Sequence, residues 1–118
     1  MTDATPAQHA SQAADAIRAI NHATRSPADN WQYPSDVYDL VGSLTRMAMM
    51  LPQALDQATR LIVDLNEAGH VYSVNGTLEH DLDETVRGLE EARIAADKLY
   101  GTLNRAHSGL GPLAHKDA

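Results

Sequence analysis

The stretch VYDLVGSLTRMAMMLPQALDQATRLIVDL, residues 37–65, decides the fold class. Its apolar residues recur in alternating steps of four and three, the spacing of one face of an α-helix. They are Val37, Val41, Leu44, Ala48, Leu51, Leu55, Ala58, Ile62 and Leu65. A second apolar row runs beside them and comprises Leu40, Met47, Ala54 and Leu61. Two adjacent rows are typical of a helix in a bundle, so we predict a helix over residues 35–68, with Ser35 as its N-cap and Gly69 after its end.

Pro52 lies inside this pattern, where a proline removes one backbone hydrogen bond and crowds the carbonyl of Ala48. The spacing does not slip across Pro52, and the proline falls on the flank of the apolar seam. We therefore predict one continuous helix with a bend. The alternative is a helix that ends near Met50 and a second one that starts at Pro52.

A third helical segment is predicted over residues 77–108, and its seam has the same spacing. It comprises Leu78, Leu82, Thr85, Leu89, Ala92, Ala96, Leu99, Leu103, Ala106 and Leu110. Paired about the Gly69–Gly76 turn, the two seams match layer by layer, with Ala48 level with Ala96. We predict an antiparallel helical hairpin, followed by a flexible tail over residues 111–118.

The segment 7–25 has helical spacing, but only Ile17 and Ile20 in its apolar row are large. We expect this short helix to pack along the Val37–Leu51 half of the hairpin. The predicted fold is thus an all-α, single-domain three-helix bundle. The other half would keep an exposed apolar strip, so we expect a homodimer in which two hairpins form a four-helix arrangement. The predicted interaction surface comprises Met49, Met50, Leu61, Val63, Val86 and Ile94.

Composition limits the function classes. The chain has 9 basic and 16 acidic residues, a formal charge of −7, which disfavours nucleic-acid binding. It has no cysteine, and its first residues lack the pattern of a secretory signal. The run MAMML is too short to span a membrane, so we expect a cytoplasmic protein without membrane contact.

No catalytic or cofactor-binding motif stands out. The six histidines include no pair at metal-ligand spacing, so neither a metal site nor a cofactor is expected, and we interpret the chain as not an enzyme. Four aromatic residues should gather at the open end of the hairpin, either as a packing plug or as a ligand patch. They are Trp31, Tyr33, Tyr38 and Tyr100.

Three segments carry a resemblance to known proteins: AADAIRAINHAT, YPSDVYDLVGSLTRMAMMLPQALDQATRLI and AGHVYS. They resemble small helical proteins common in Streptomyces and related actinobacteria, over roughly residues 7–75. That family has no assigned activity, so the resemblance implies an actinobacterial origin and little about mechanism. The chain is also similar in size to small secreted helical-hairpin proteins with a Trp-X-Gly turn, but Trp31 precedes the hairpin and is followed by Gln-Tyr.

The sequence thus favours a non-enzymatic interaction or assembly module that forms a homodimer and has a possible protein partner helix. The alternatives are a small ligand- or metal-binding helical bundle and a nucleic-acid-associated regulator.

Overall fold

The computed structural model describes residues 3–26 and 33–117. This part of the chain contains three α-helices and no strand: α1 (Pro6–Ala23), α2 (Pro34–Glu67) and α3 (Leu78–Leu110). The all-α, three-helix fold class is confirmed. Each helix end lies within two residues of its predicted position. Trp31 lies outside the described residues.

Local side-chain chemistry sets the starts of α1 and α2. In α1 the Gln8 N–H donates to Thr5 Oγ1 at 3.1 Å, and the Thr5 N–H donates to Gln8 Oε1 at 2.8 Å. In α2 the N-cap is Tyr33, so the prediction of Ser35 is wrong. Pro34 takes the first helical position, where its missing N–H costs nothing, and Asp36 Oδ2 accepts the Tyr33 N–H at 2.9 Å.

Helix α2 is continuous through Pro52, so the alternative of two helices meeting there is excluded. It ends in a Schellman motif at Gly69, whose φ of 80° is left-handed. The His70 N–H donates to the Leu65 carbonyl and the Gly69 N–H to the Asn66 carbonyl, both at 3.0 Å. The chain then turns through Gly76, which has a φ of 72°, into α3.

Helices α2 and α3 pack against each other as an antiparallel hairpin, as predicted. Asp56 binds Arg93 at 3.0 Å, and Gly42 lies against the His107 ring. These two contacts are two heptads apart on each helix and run in opposite directions, which fixes the register. Ala48 and Ala96 are 2% and 6% exposed, so both lie within the contact between the two helices.

The rotation of both long helices about their own axes differs from the prediction. On α3 the predicted seam residues Thr85, Ala92, Leu99 and Ala106 are exposed, and the next row along is half-buried instead: Val86, Arg93, Tyr100 and His107.

On α2 the change is similar. Thr45 is buried and Pro52, Thr59 and Asn66 are half-buried, whereas Leu51, Ala58 and Leu65 are exposed. The row that faces α3 beside Val41, Ala48, Leu55 and Ile62 is therefore the more polar one. Pro52 lies within the contact with α3, and its predicted place on the flank of the seam is wrong.

Hydroxyl hydrogen bonds explain how this polar row can be buried. Thr45 Oγ1 donates to the Val41 carbonyl at 2.7 Å, and Thr59 Oγ1 donates to the Leu55 carbonyl at 3.0 Å. Each hydroxyl thus has a hydrogen-bond acceptor one turn back along its own helix, so the threonine can be buried without leaving a polar group unpaired.

The expected packing of α1 along the Val37–Leu51 half is not found. Within residues 3–26 and 33–117, helix-to-helix packing is confined to α2 and α3, and α1 has no buried residue. The physical reason is the small apolar area of α1, which has only Ile17 and Ile20 to bury. Its C-terminal end alone lies beside the first turns of α2.

The resulting molecule is long and open. It measures 65 × 34 × 26 Å, and its radius of gyration is 19.4 Å. A compact chain of this length would have a radius of about 13–14 Å. Among the described residues only Thr45, Ala48 and Ala96 are buried.

Replacing Pro52 tests whether the proline serves the hairpin. Pro52→Ala restores a donor for the Ala48 carbonyl, so we expect the free energy of unfolding to rise by about 1–3 kcal/mol at fixed protein concentration. Chemical denaturation followed by circular dichroism measures it, with exposed Gln53→Ala as the control. A loss of stability would show that packing of the proline ring against α3 outweighs the missing hydrogen bond.

The turn before α3 gives a second test. Hydrogen bonds from the Ser73 hydroxyl, at 2.6 Å, and the Thr77 hydroxyl, at 2.9 Å, lower the pKa of Asp81 below its ordinary value. A lowered native pKa means that the stabilisation by this carboxylate is complete above its unfolded-state pKa. It is lost as the pH falls through the native pKa.

We expect Ser73→Ala to raise the pKa of Asp81 towards its ordinary value, because Ser73 is the largest cause of the lowering. A carboxyl-detected NMR titration measures this pKa, with Ser108→Ala as a remote control. An unchanged pKa in Ser73→Ala would contradict the hydrogen-bond assignment.

Candidate interaction surface

One side of the hairpin presents uncharged side chains from both helices, and we call it the apolar face. On each helix, the residues of this side lie next to the row that contacts the other helix. From α2 it comprises Leu40, Leu44, Met47, Met50, Leu51, Ala54, Ala58, Leu61 and Leu65. From α3 it comprises Thr85, Gly88, Ala92, Ala95 and Leu99.

Large side chains on this face are strongly exposed. Leu61 is 60% exposed, Met50 56%, Leu99 45%, Leu65 40% and Leu51 39%. The neighbouring Leu40, Leu44 and Met47 are half-buried. Single exposed apolar residues are ordinary on protein surfaces, but a row that runs along most of a 34-residue helix is an extended patch.

The α2 part of the face lacks charge. Between Leu40 and Leu61, the charged residues of α2 are Arg46, Asp56 and Arg60. At 3.6 residues per turn all three lie away from the apolar face. Burying this part of α2 would therefore leave no unpaired charge of α2, and an unpaired charge is the main obstacle to burying a surface.

The opposite side of the hairpin is charged. Asp56 pairs there with Arg93 at 3.0 Å, and Arg93 with Asp97 at 3.9 Å. Arg87 pairs with Asp83 at 2.9 Å. These side chains are largely exposed, so each pair contributes little stability, but together they keep this side hydrated.

The six residues of the predicted interaction surface are divided between these two sides. Met50 and Leu61 lie on the apolar face. Ile94 lies in a shallow groove lined with Asp83, Arg87, Glu90 and Glu91, and Val86 borders it. Gly42 of α2 lies against His107 of α3, and the same relation recurs every seven residues along the two antiparallel helices. Met49 is therefore level with Tyr100 and Val63 with Val86, on this charged side.

A groove continues the apolar face at the open end of the hairpin. It has a volume of about 530 Å³ and lies between the end of α1 and the start of α2. Ile20, Ala23, Val37 and Leu40 give it apolar walls, and Asp36 and Asp39 also line it. Residues of both α1 and α2 thus line this groove.

The aromatic residues pair with histidines. Tyr38 stacks on His107 with ring centroids 4.0 Å apart, and Tyr33 meets His115 edge-on at 5.0 Å. Gly42 permits the first pair, because a Cβ there would lie 2.8 Å from His107 Nε2. Tyr100 is half-buried two turns before His107. The structure thus places Tyr33 and Tyr38 in two separate ring contacts, one of which involves the tail.

No three His, Asp or Glu side chains among the described residues are grouped so that they could hold a metal ion. His115 and Asp117 lie 3.1 Å apart, but they are exposed. In the same part of the chain, no helix is long and apolar enough to cross a membrane.

Sequence reasoning found one of the two rows through which α2 contacts α3 and missed the other, which comprises Thr45, Pro52, Thr59 and Asn66. Apolarity alone favoured the row Leu44, Leu51, Ala58 and Leu65. The available signal was the spacing of the two threonines, which places both one turn after an apolar seam residue, Val41 or Leu55.

Comparison of the chain with protein-family models, with curated proteins and with solved structures gave no match.

Proposed function

We propose that this protein is a non-enzymatic helical assembly module and that it associates with a second copy of itself through the apolar face. One observation carries the proposal. The hairpin packs through the more polar row of α2, with Thr45, Pro52 and Thr59, and leaves the more apolar row in water. In a chain that worked alone, rotating α2 the other way would bury more apolar area.

The accessible surface supports association. The chain exposes 9360 Å², whereas a folded monomer of 12.8 kDa would expose about 6,300 Å². The excess of about 3,000 Å² is larger than the roughly 800 Å² that each partner buries in a standard interface. A second copy could cover a stable contact area on this surface and supply the core that the single chain lacks.

The charge distribution permits a second copy as the occupant. Each chain carries a formal charge of −7, so two copies repel each other wherever their acidic surfaces meet. The apolar face avoids this repulsion because the charged residues of the central part of α2 lie elsewhere. A protein partner helix of another kind is the alternative occupant of the same face.

The remaining parts of the proposal rest on the sequence. The acidic charge disfavours nucleic acid as a partner. A cytoplasmic location, an actinobacterial origin and the absence of catalysis remain predictions. A small ligand in the groove between α1 and α2 would be the competing function, and its apolar walls would favour a hydrophobic molecule.

Two matched substitutions test the proposal. Leu61 and Ile94 are 60% and 63% exposed, but only Leu61 lies on the apolar face. We expect Leu61→Asp to abolish self-association, since it buries a charge at the contact, and Ile94→Asp to leave it intact. Size-exclusion chromatography with light scattering measures the molar mass, and circular dichroism checks that both variants remain helical.

Equal effects of the two substitutions would contradict the assignment of the apolar face. If Ile94→Asp alone dissociated the protein, the contact would lie on the charged side instead.

A further inference from the structure

The arrangement of residues on α2 also indicates how two copies would meet, and this inference rests on the proposed self-association. We propose that the two α2 helices pair antiparallel about a two-fold axis at Leu51. Leu61 and Leu65 of each copy then enter the groove between α1 and α2 of the other. The occupant of the apolar face is thus the α2 helix of a second copy.

The order of large and small residues along α2 favours this register. With the axis at Leu51, Met47 faces Ala54 of the second copy and Leu44 faces Ala58. Each of these layers combines a long side chain with a methyl group, so its volume stays nearly constant. The layer at the axis consists of Leu51 from both copies.

A parallel pairing would fill the same layers unevenly. Ala54 and Ala58 would each face the same alanine of the second copy, which leaves gaps. Met47 and Leu44 would each face the same residue of the second copy and crowd the intervening layers. Gaps and overpacking each cost stability, so the alternating order favours the antiparallel arrangement.

The groove fits the ends of this contact. In the antiparallel register Leu40 faces Leu61 of the second copy, and Val37 lies level with its Leu65. Leu40 and Val37 are the apolar residues on the α2 side of the 530 Å³ groove, which Asp36 and Asp39 also line, and Ile20 and Ala23 lie on its α1 side. Leu61 is the most exposed leucine of α2, and this register places it against Leu40 and the apolar side chains of the groove. It also gives α1, which has no buried residue, a role as one wall of the contact.

Cysteine cross-linking tests the register, because the chain contains no cysteine of its own. We expect Leu51→Cys to form a covalent dimer on mild oxidation or with a short bis-maleimide. Leu61→Cys alone should not, because its two copies would lie about 30 Å apart along the helices. A mixture of Leu40→Cys and Leu61→Cys should form the mixed covalent dimer.

The outcomes separate this inference from the proposed function. Light scattering on each reduced variant first establishes that the variant still associates. If Leu40→Cys or Leu61→Cys does not associate, a mixture of Met47→Cys and Ala54→Cys is used instead. If Leu61→Cys forms a covalent dimer by itself, or if neither mixture of cysteine variants forms a covalent dimer, the antiparallel register is overturned. Self-association is not overturned by either result. A wild-type protein that is monomeric throughout overturns both.

Discussion

A two-helix hairpin can bury only one side of each helix, and the apolar residues of α2 cover more than one side. Its surface must therefore be divided between α3 and whatever else contacts it. The structure gives α3 the row that contains Thr45, Pro52 and Thr59, while Leu51, Leu61 and Leu65 remain in water. The scarcity of buried residues and the exposed apolar row of α2 follow from this division.

Pro52 is easier to understand in this context. A proline inside a helix leaves one carbonyl, here that of Ala48, without its usual donor. Ala48 is also the most buried residue of the described chain. The carbonyl that lacks its usual donor thus belongs to a residue in the contact with α3. The continuous helix on both sides shows that the packing against α3 tolerates this cost.

The sequence predicted the helices and the hairpin because the four-three spacing and the turn at Gly69 are local signals. It did not predict the rotation of α2, since two adjacent rows with the same period differ only in polarity. The choice between them depends on hydroxyl hydrogen bonds such as Thr45 to the Val41 carbonyl, which apolar spacing does not register. The division of Met50 and Leu61 from Met49 and Val63 follows from that rotation, so the same spacing could not predict it.

The most direct test of this account is the molar mass of the wild-type protein in solution, measured by size-exclusion chromatography with light scattering over a wide range of concentrations. The account predicts a species of twice the chain mass of 12.8 kDa that dissociates only on strong dilution. A species of the single chain mass at every concentration, with the helices folded, would contradict it, because the apolar face would then be stable in water without a second copy.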